Sequence, residues 1–312
     1  MQIRPGIRDI LWVSVGAALV LLLALLVLLF GKPPGPDPRL ALKAHRLDLV
    51  HRMQLGLASA SEAEKSAVLA ITDQESQAFG DQARANTTDV DRERKELEAL
   101  LDQGGTPKEK ELLAEFSQQF AELQRVDDEL LGLAGQNSNL KAYALTFGAA
   151  ADALQEMTAA LSRVVAANSD ARDAKEVMSL ALGAEIAALR IQTLLPPHIA
   201  EAKDSRMDEL EASMTREDEQ VQSDLERLKA LPGIRGGADL DLAASRYGQF
   251  RQVKSQILAL SRENTNVRSL AISLNQKRKL RLSCDDVLGK LQDVLEKEPI
   301  EGVTYGGRLG VR

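Results

Sequence analysis

The sequence predicts an all-α protein: one N-terminal transmembrane helix, then a long antiparallel up-down four-helix bundle with coiled-coil-like seams. Three observations carry this. Ile10 to Phe30 is an unbroken run without a charged residue. The remainder is dominated by good helix formers, with aromatic residues at only 3%, too few to fill a compact enzyme-like core. Glycine and proline gather at a few points that divide residues 39–298 into four stretches of similar length.

Residues 1–9 read as a short inside tail carrying Arg4 and Arg8. At about 1.5 Å per residue, residues 10–30 span roughly 30 Å, the hydrocarbon thickness of a bilayer. The exit, Leu28-Leu29-Phe30-Gly31-Lys32-Pro33-Pro34, has no small-residue cleavage pattern, so the run predicts an anchor that is retained. Lys32, Arg39, Lys43 and Arg46 follow closely. Long domains translocate largely regardless of charge, and the expectation is a single-pass bacterial inner-membrane protein with a periplasmic bundle. Residues 31–38 hold four prolines and two glycines, a stiff non-helical spacer.

The first predicted helix covers about 39–101 and stops at Gly104-Gly105. The second covers about 106–167. It starts at Thr106-Pro107-Lys108-Glu109, where Thr as N-cap, Pro at the first helical position and Glu at N3 form a capping box. The third covers about 171–231 and is broken by Pro232-Gly233 and Gly236-Gly237; the fourth covers about 239–298 and is stopped by Pro299. Residues 299–312 are a glycine-rich tail. Each helix would be a rod of ~90 Å. In the fourth, Phe250, Val253, Ile257, Leu260, Asn264, Val267, Ala271 and Leu274 alternate spacings of three and four. In the second, Phe116, Leu123, Leu130, Leu133, Asn137, Leu140, Ala144, Phe147 and Leu154 do the same. The first is weaker, since Asp73 to Glu96 is mostly polar.

Folding about turns near 104, 170 and 235 puts Asn264 level with Arg206, with Ala134 to Asn137, and with Gln74 or Glu75. Asn137, Asn264, Arg206, Arg262, Arg268 and Gln74 are therefore candidate contacts for a small polar or anionic ligand. A second reading fits the same residues: a buried seam Asn fixes register and partner number. Pro196-Pro197 predicts a kink or a break in the third helix, and His198 reads as a surface or kink-facing residue. The basic run Lys277-Arg278-Lys279-Leu280-Arg281 reads as lipid- or acid-facing, or as a solvated face salt-bridged to an acidic helix.

Other classes are excluded. A formal net charge of −7 argues against nucleic acid. His45, His51 and His198 lack metal-ligand spacing, and the lone Cys284 cannot form an intramolecular disulfide. No phosphate-cradling glycine loop or nucleophile elbow is present. The expectation is no enzyme, no cofactor and no metal.

One span, the Thr106-Pro107-Lys108-Glu109 helix start and segments such as Leu260-Ser261-Arg262-Glu263-Asn264-Thr265-Asn266-Val267-Arg268-Ser269-Leu270 carry a resemblance. At the level of architecture, residues 10–298 resemble the four-helix-bundle sensory domain of methyl-accepting chemotaxis receptors. The resemblance implies an extracytoplasmic, dimerising bundle that takes small ligands between helices. It departs in lacking a second span and a cytoplasmic signalling region, which implies signalling through a partner membrane protein or homodimer. The competing expectation is a membrane-tethered coiled-coil scaffold or spacer without a ligand.

Overall fold

Thr72 starts a helix in the middle of the first predicted rod. Its side chain accepts the Glu75 N–H at 3.2 Å, and its hydroxyl donates to Glu75 at 3.0 Å. The hydroxyl oxygen caps the N3 amide as it does at Thr106, but Glu75 accepts from the hydroxyl whereas Glu109 accepts from the Thr106 backbone N–H. Ser76 seals the end of the preceding helix by donating to the Ala67 carbonyl at 2.9 Å. The computed structural model describes residues 37–299. The inside tail, the run 10–30, most of the spacer and the tail beyond 299 lie outside the described residues.

The elements are α1 (Pro38–Leu69), α2 (Asp73–Gly104), α3 (Pro107–Ala134), α4 (Ser138–Leu145), a first π turn (Thr146–Ala150), α5 (Ala151–Ala167), α6 (Ala174–Ala200), α7 (Asp204–Ala230), α8 (Gly237–Glu263), α9 (Thr265–Ile272), a second π turn (Ser273–Lys277) and α10 (Arg278–Lys297). The all-α expectation holds, as do the Thr106 capping box and the turns at 105, 168–173 and 231–236. Two of the four 90 Å rods do not form. The first and third stretches fold back at 70–72 and 201–203 into the hairpins α1–α2 and α6–α7. Pro196 and Pro197 lie inside α6, whose last turn they occupy; the chain leaves the helix only at Glu201.

The other two stretches, α3-α4-α5 and α8-α9-α10, run antiparallel along the whole molecule. Beside one end of this pair packs α1–α2, and beside the other packs α6–α7. Two four-helix bundles result, stacked end to end. The proximal bundle (α1, α2, α3, α10) contains both ends of the described chain, and the distal bundle contains α5, α6, α7 and α8.

The two bundles are copies. Ser138 and Thr265, which bond to each other across the junction, lie 127 residues apart. The same offset superposes α4 on α9, the first π turn on the second, α3 on α8 and α5 on α10. It also carries buried Val50, Leu101, Leu113, Val126 and Leu161 onto buried Val177, Leu228, Leu240, Val253 and Leu288. Each half gives three helices to its own bundle and its last helix to the other.

Candidate functional site

Asn137 and Asn264 sit at the junction, each in the left-handed region with φ of 51° and 53°. Asn tolerates this conformation because its short amide bonds locally. Here it turns the helix about its axis. Beyond each Asn the predicted seam leaves the core: Phe147 and Leu274 are 69% and 57% exposed, and Ala144 and Ala271 are exposed too. Ala142 and Thr146, and on the other strand Thr265, Ser269 and Ser273, are buried instead.

The junction bonds are reciprocal. Asn139 N–H donates to Asn266 Oδ1 at 3.2 Å, and Asn266 N–H donates to Asn139 Oδ1 at 3.1 Å. Asn139 Nδ2 also donates to Asn264 Oδ1 at 2.9 Å and to the Ile199 carbonyl at 2.6 Å. Asn266 Nδ2 donates to Asn137 Oδ1, and Asn137 Nδ2 donates to Asp73 Oδ1, both at 2.9 Å. Asn264 Nδ2 donates to the Glu201 carbonyl at 2.8 Å. The Asn137 bond holds the Asp73 carboxyl below its ordinary pKa, helped by Lys141. Of the six predicted site residues, the structure therefore joins Asn137 and Asn264 and spends their amides on protein partners. The other four stand apart. Arg206 pairs with Glu209 on α7, Arg262 bonds Glu211 at 2.8 Å and Asp208 at 2.5 Å, and Arg268 and Gln74 are exposed.

His198 is fully buried, which removes the surface half of its reading as a surface or kink-facing residue. Its Nδ1 lies 2.8 Å from Ser261 Oγ and its Nε2 2.8 Å from Glu211 Oε1. The final turn of α6 presses the ring between Ser261 on α8 and Glu211 on α7.

The chemistry that the sequence reading left as a basic run lies at the second π turn. Lys277 points inward, 2% exposed, with Nζ 3.1 Å from Glu64 Oε2 and 2.7 Å from Asp127 Oδ1. Glu64 and Asp127 are 1% and 6% exposed, so three charges share the core. Neither Glu64 oxygen, nor Asp127 Oδ1, nor Lys277 Nζ makes an aligned hydrogen bond. A groove of about 370 Å³ opens on the Glu64 side, lined by Ser61, Lys65, Ser273, Arg278 and Arg281, with a similar one beside Asp127 and Arg84. The first groove presents four cations against the single Glu64 carboxylate. Arg281 is held by Asp285 at 2.8 Å.

The distal copy shows what the fold alone requires at this place. The positions matching Glu64, Lys277 and Arg281 are Ile191, Ala150 and Leu154, all buried and apolar. Asp127 matches Lys254, which lies 3.8 Å from Asp218. Asp218 also accepts from the Tyr247 hydroxyl, and burial with that carboxylate raises the phenol's pKa. A π turn thus closes over aliphatic side chains in one bundle and over an ion cluster in the other. Packing does not demand the charges.

The fold and this groove define a class: an all-helical module of paired four-helix bundles, with a buried ion cluster at the π turn of one and aliphatic side chains at the π turn of the other. Residues 57–179, from the middle of α1 to the start of α6, match the family model described as a four helix bundle sensory module for signal transduction. The resemblance to the chemoreceptor sensory domain holds over that stretch. No curated protein and no solved structure matched the chain.

Proposed function

We propose that the chain is the membrane-tethered, periplasmic sensory part of a chemotaxis-type system in a bacterial inner membrane, and that it is not an enzyme. It takes a small polar anion, such as an organic acid or an amino acid, into the groove over the second π turn. Lys65, Arg278 and Arg281 meet the carboxylate, and the Glu64 charge beneath them disfavours purely anionic competitors. The observation that carries this reading is the contrast between the charged proximal groove and its apolar distal counterpart. Tethering rests on the uncharged run Ile10 to Phe30.

The event passes to a partner, a second copy or another membrane protein. An exposed apolar stripe on α6, Met178, Leu182, Ile186 and Leu189, supports this, because a helix already packed in a bundle has no internal use for it. Among the described residues, α6 is the helix long and apolar enough to cross a bilayer. It is apolar because one face fills the distal core while the other carries this stripe.

The test is a thermal-shift screen of the detergent-solubilised full chain against amino acids, organic acids and aromatic acids. The expected result is a stabilising ligand whose effect disappears in the double variant Lys65→Ala/Arg278→Ala, both at exposed positions. Absence of any hit would favour the tethered scaffold, a reading that the internally satisfied amides of the junction support. Paired C-terminal reporters, one active outside the cytoplasm and one inside, test the periplasmic placement.

A further inference from the structure

We infer that Glu64, Asp127 and Lys277 form a proton-operated latch across the proximal bundle. With a proton on Asp127 the buried cluster is neutral and ties α1, α3 and the second π turn together. Without it, one buried negative charge is uncompensated and the layer loosens. The latch goes beyond the ligand-sensing reading and operates with no ligand present.

The charge count comes first. Two carboxylates and one ammonium, all at least nine-tenths buried, sum to one negative charge. Burying an uncompensated charge is costly, and the least expensive remedy is protonation. The surrounding groups do not supply another. From α1 comes Lys65, exposed at the groove mouth; from α2, Arg84, tied to Asp81 at 3.2 Å. From α3 comes Asp128, a further negative charge, and from α10 come Arg278, exposed, and Arg281, engaged with Asp285. Burial accordingly raises the Asp127 pKa, Lys277 opposes the rise, and Glu64 and Asp128 add to it.

The position of the layer makes the charge mechanical. One hydrophobic cluster of the proximal bundle runs through Leu57, Leu123 and Cys284, and a separate one through Ala63, Leu130 and Ile272. Asp127 lies between them on α3 and Lys277 between Ile272 and Cys284, while Glu64 follows Ala63 at the edge of the second cluster on α1. The distal bundle, with Ile191 and Ala150 at the matching positions, has one continuous cluster. Val126 and Ala60 are buried at this level but belong to neither cluster, so the ion cluster is what ties α1, α3 and the second π turn together there. Glu64 lies near the end of α1 and Lys277 just before α10, so loosening acts where the proximal bundle meets the junction.

The sign follows from linkage. A carboxyl whose folded pKa is raised contributes stability that is complete below its unfolded value and is lost as pH rises through the folded value. Hydrogen exchange of the full chain in detergent, from the unfolded carboxyl value of about pH 4 up to pH 8 and corrected for intrinsic rates, reads this directly. The opening constants of amides in α1 and α10 flanking Glu64 and Lys277 are expected to increase with pH, up to about tenfold per unit. Glu64→Gln leaves Asp127 and Lys277 as a neutral pair, so the slope should vanish and protection at pH 8 should exceed that of the wild type. Asp127→Asn should do the same through Glu64 and Lys277. A flat wild-type profile, or a slope that survives in Glu64→Gln, overturns the latch. Neither outcome bears on whether the groove binds an anion.

Discussion

Ser138 and Thr265 exchange hydrogen bonds across the junction: each backbone N–H donates to the other's hydroxyl oxygen, at 3.0 Å in both directions. The hydroxyls are themselves 3.1 Å apart. Each bond satisfies a backbone donor in the first turn of a helix, where no intrahelical acceptor exists. In most helices a residue just before that turn supplies the cap. Here each half of the chain caps the other, so the two bundles share one joint.

The left-handed Asn residues set the geometry of that joint, and Asn264→Leu tests them. A β-branched or γ-branched side chain forced to positive φ costs about 1–2 kcal/mol, and the Glu201 and Asn139 groups lose their partner. Urea unfolding should show a total loss of about 2–4 kcal/mol. Asn264→Gly keeps the permitted backbone and loses only the amide bonds, so it should lose less. A Leu variant as stable as the wild type would show that the seam passes the joint straight.

Hairpin closeness is tested at Gly56. A β-carbon there would lie 2.5 Å from Val90 Cγ2, and at the matching Gly183 it would lie 2.5 Å from Asp224 Oδ2. Gly56→Ala should therefore destabilise by about 1–2 kcal/mol through overpacking. In a Val90→Ala background the same change should become stabilising by up to about 1 kcal/mol, since alanine is the better helix former. The sign reversal, read from denaturant midpoints, is the signature of a direct contact between α1 and α2.

Much of the fold was legible. The Thr106 capping box, the Gly104 and Pro232 stops and the long pair of helices follow from local chemistry that tertiary packing did not override. The level rule placed Asn264, Asn137 and the start of α2 at one height, and they meet there. It succeeded because the hairpin turns at 70–72 and 201–203 fall at that same height. The turn at 70–72 was missed because Ala70-Ile71-Thr72 contains neither Gly nor Pro, the Thr72-to-Glu75 spacing being the available signal, whereas Pro196-Pro197 announced a kink or break close to the turn at 201–203. The duplication was also readable, in Asn137-Ser138-Asn139 and Asn264-Thr265-Asn266. The ion cluster was not readable. Lys277 was one of several cations in a basic run, and only the π turn, which no local motif announces, directs it inward.

Acid should weaken the distal bundle near His198. Burial pushes the Glu211 pKa up, but hydrogen bonds from Arg262 and His198 outweigh it and hold it below the usual range. A depressed carboxylate stabilises above its unfolded pKa, and that stability is lost as pH falls through the folded value. Melting temperature should therefore decline more steeply below about pH 4.5 in the wild type than in Glu211→Gln. Identical acid limbs would show that the Arg262 pair is screened by solvent.

The α6 stripe separates a binding surface from a structural one. Ile186 is 49% exposed and Leu182 47%, while Ala184, Ala188 and Ile191 on the opposite face of the same helix fill the core. Ile186→Glu should thus leave the melting temperature within about 1 °C, as surface substitutions away from packed features change stability little. If the stripe holds a second copy, sedimentation of the full chain in detergent should shift from dimer toward monomer, because a buried interfacial charge without a partner opposes association. Ala188→Glu gives the contrast, since a charge on the core face should unfold the distal bundle and leave nothing to associate. Ile186→Glu that melts early would place the stripe inside the fold. An unchanged melting temperature with unchanged sedimentation would leave a partner of different sequence as the occupant, to be sought by crosslinking from position 186 in the membrane.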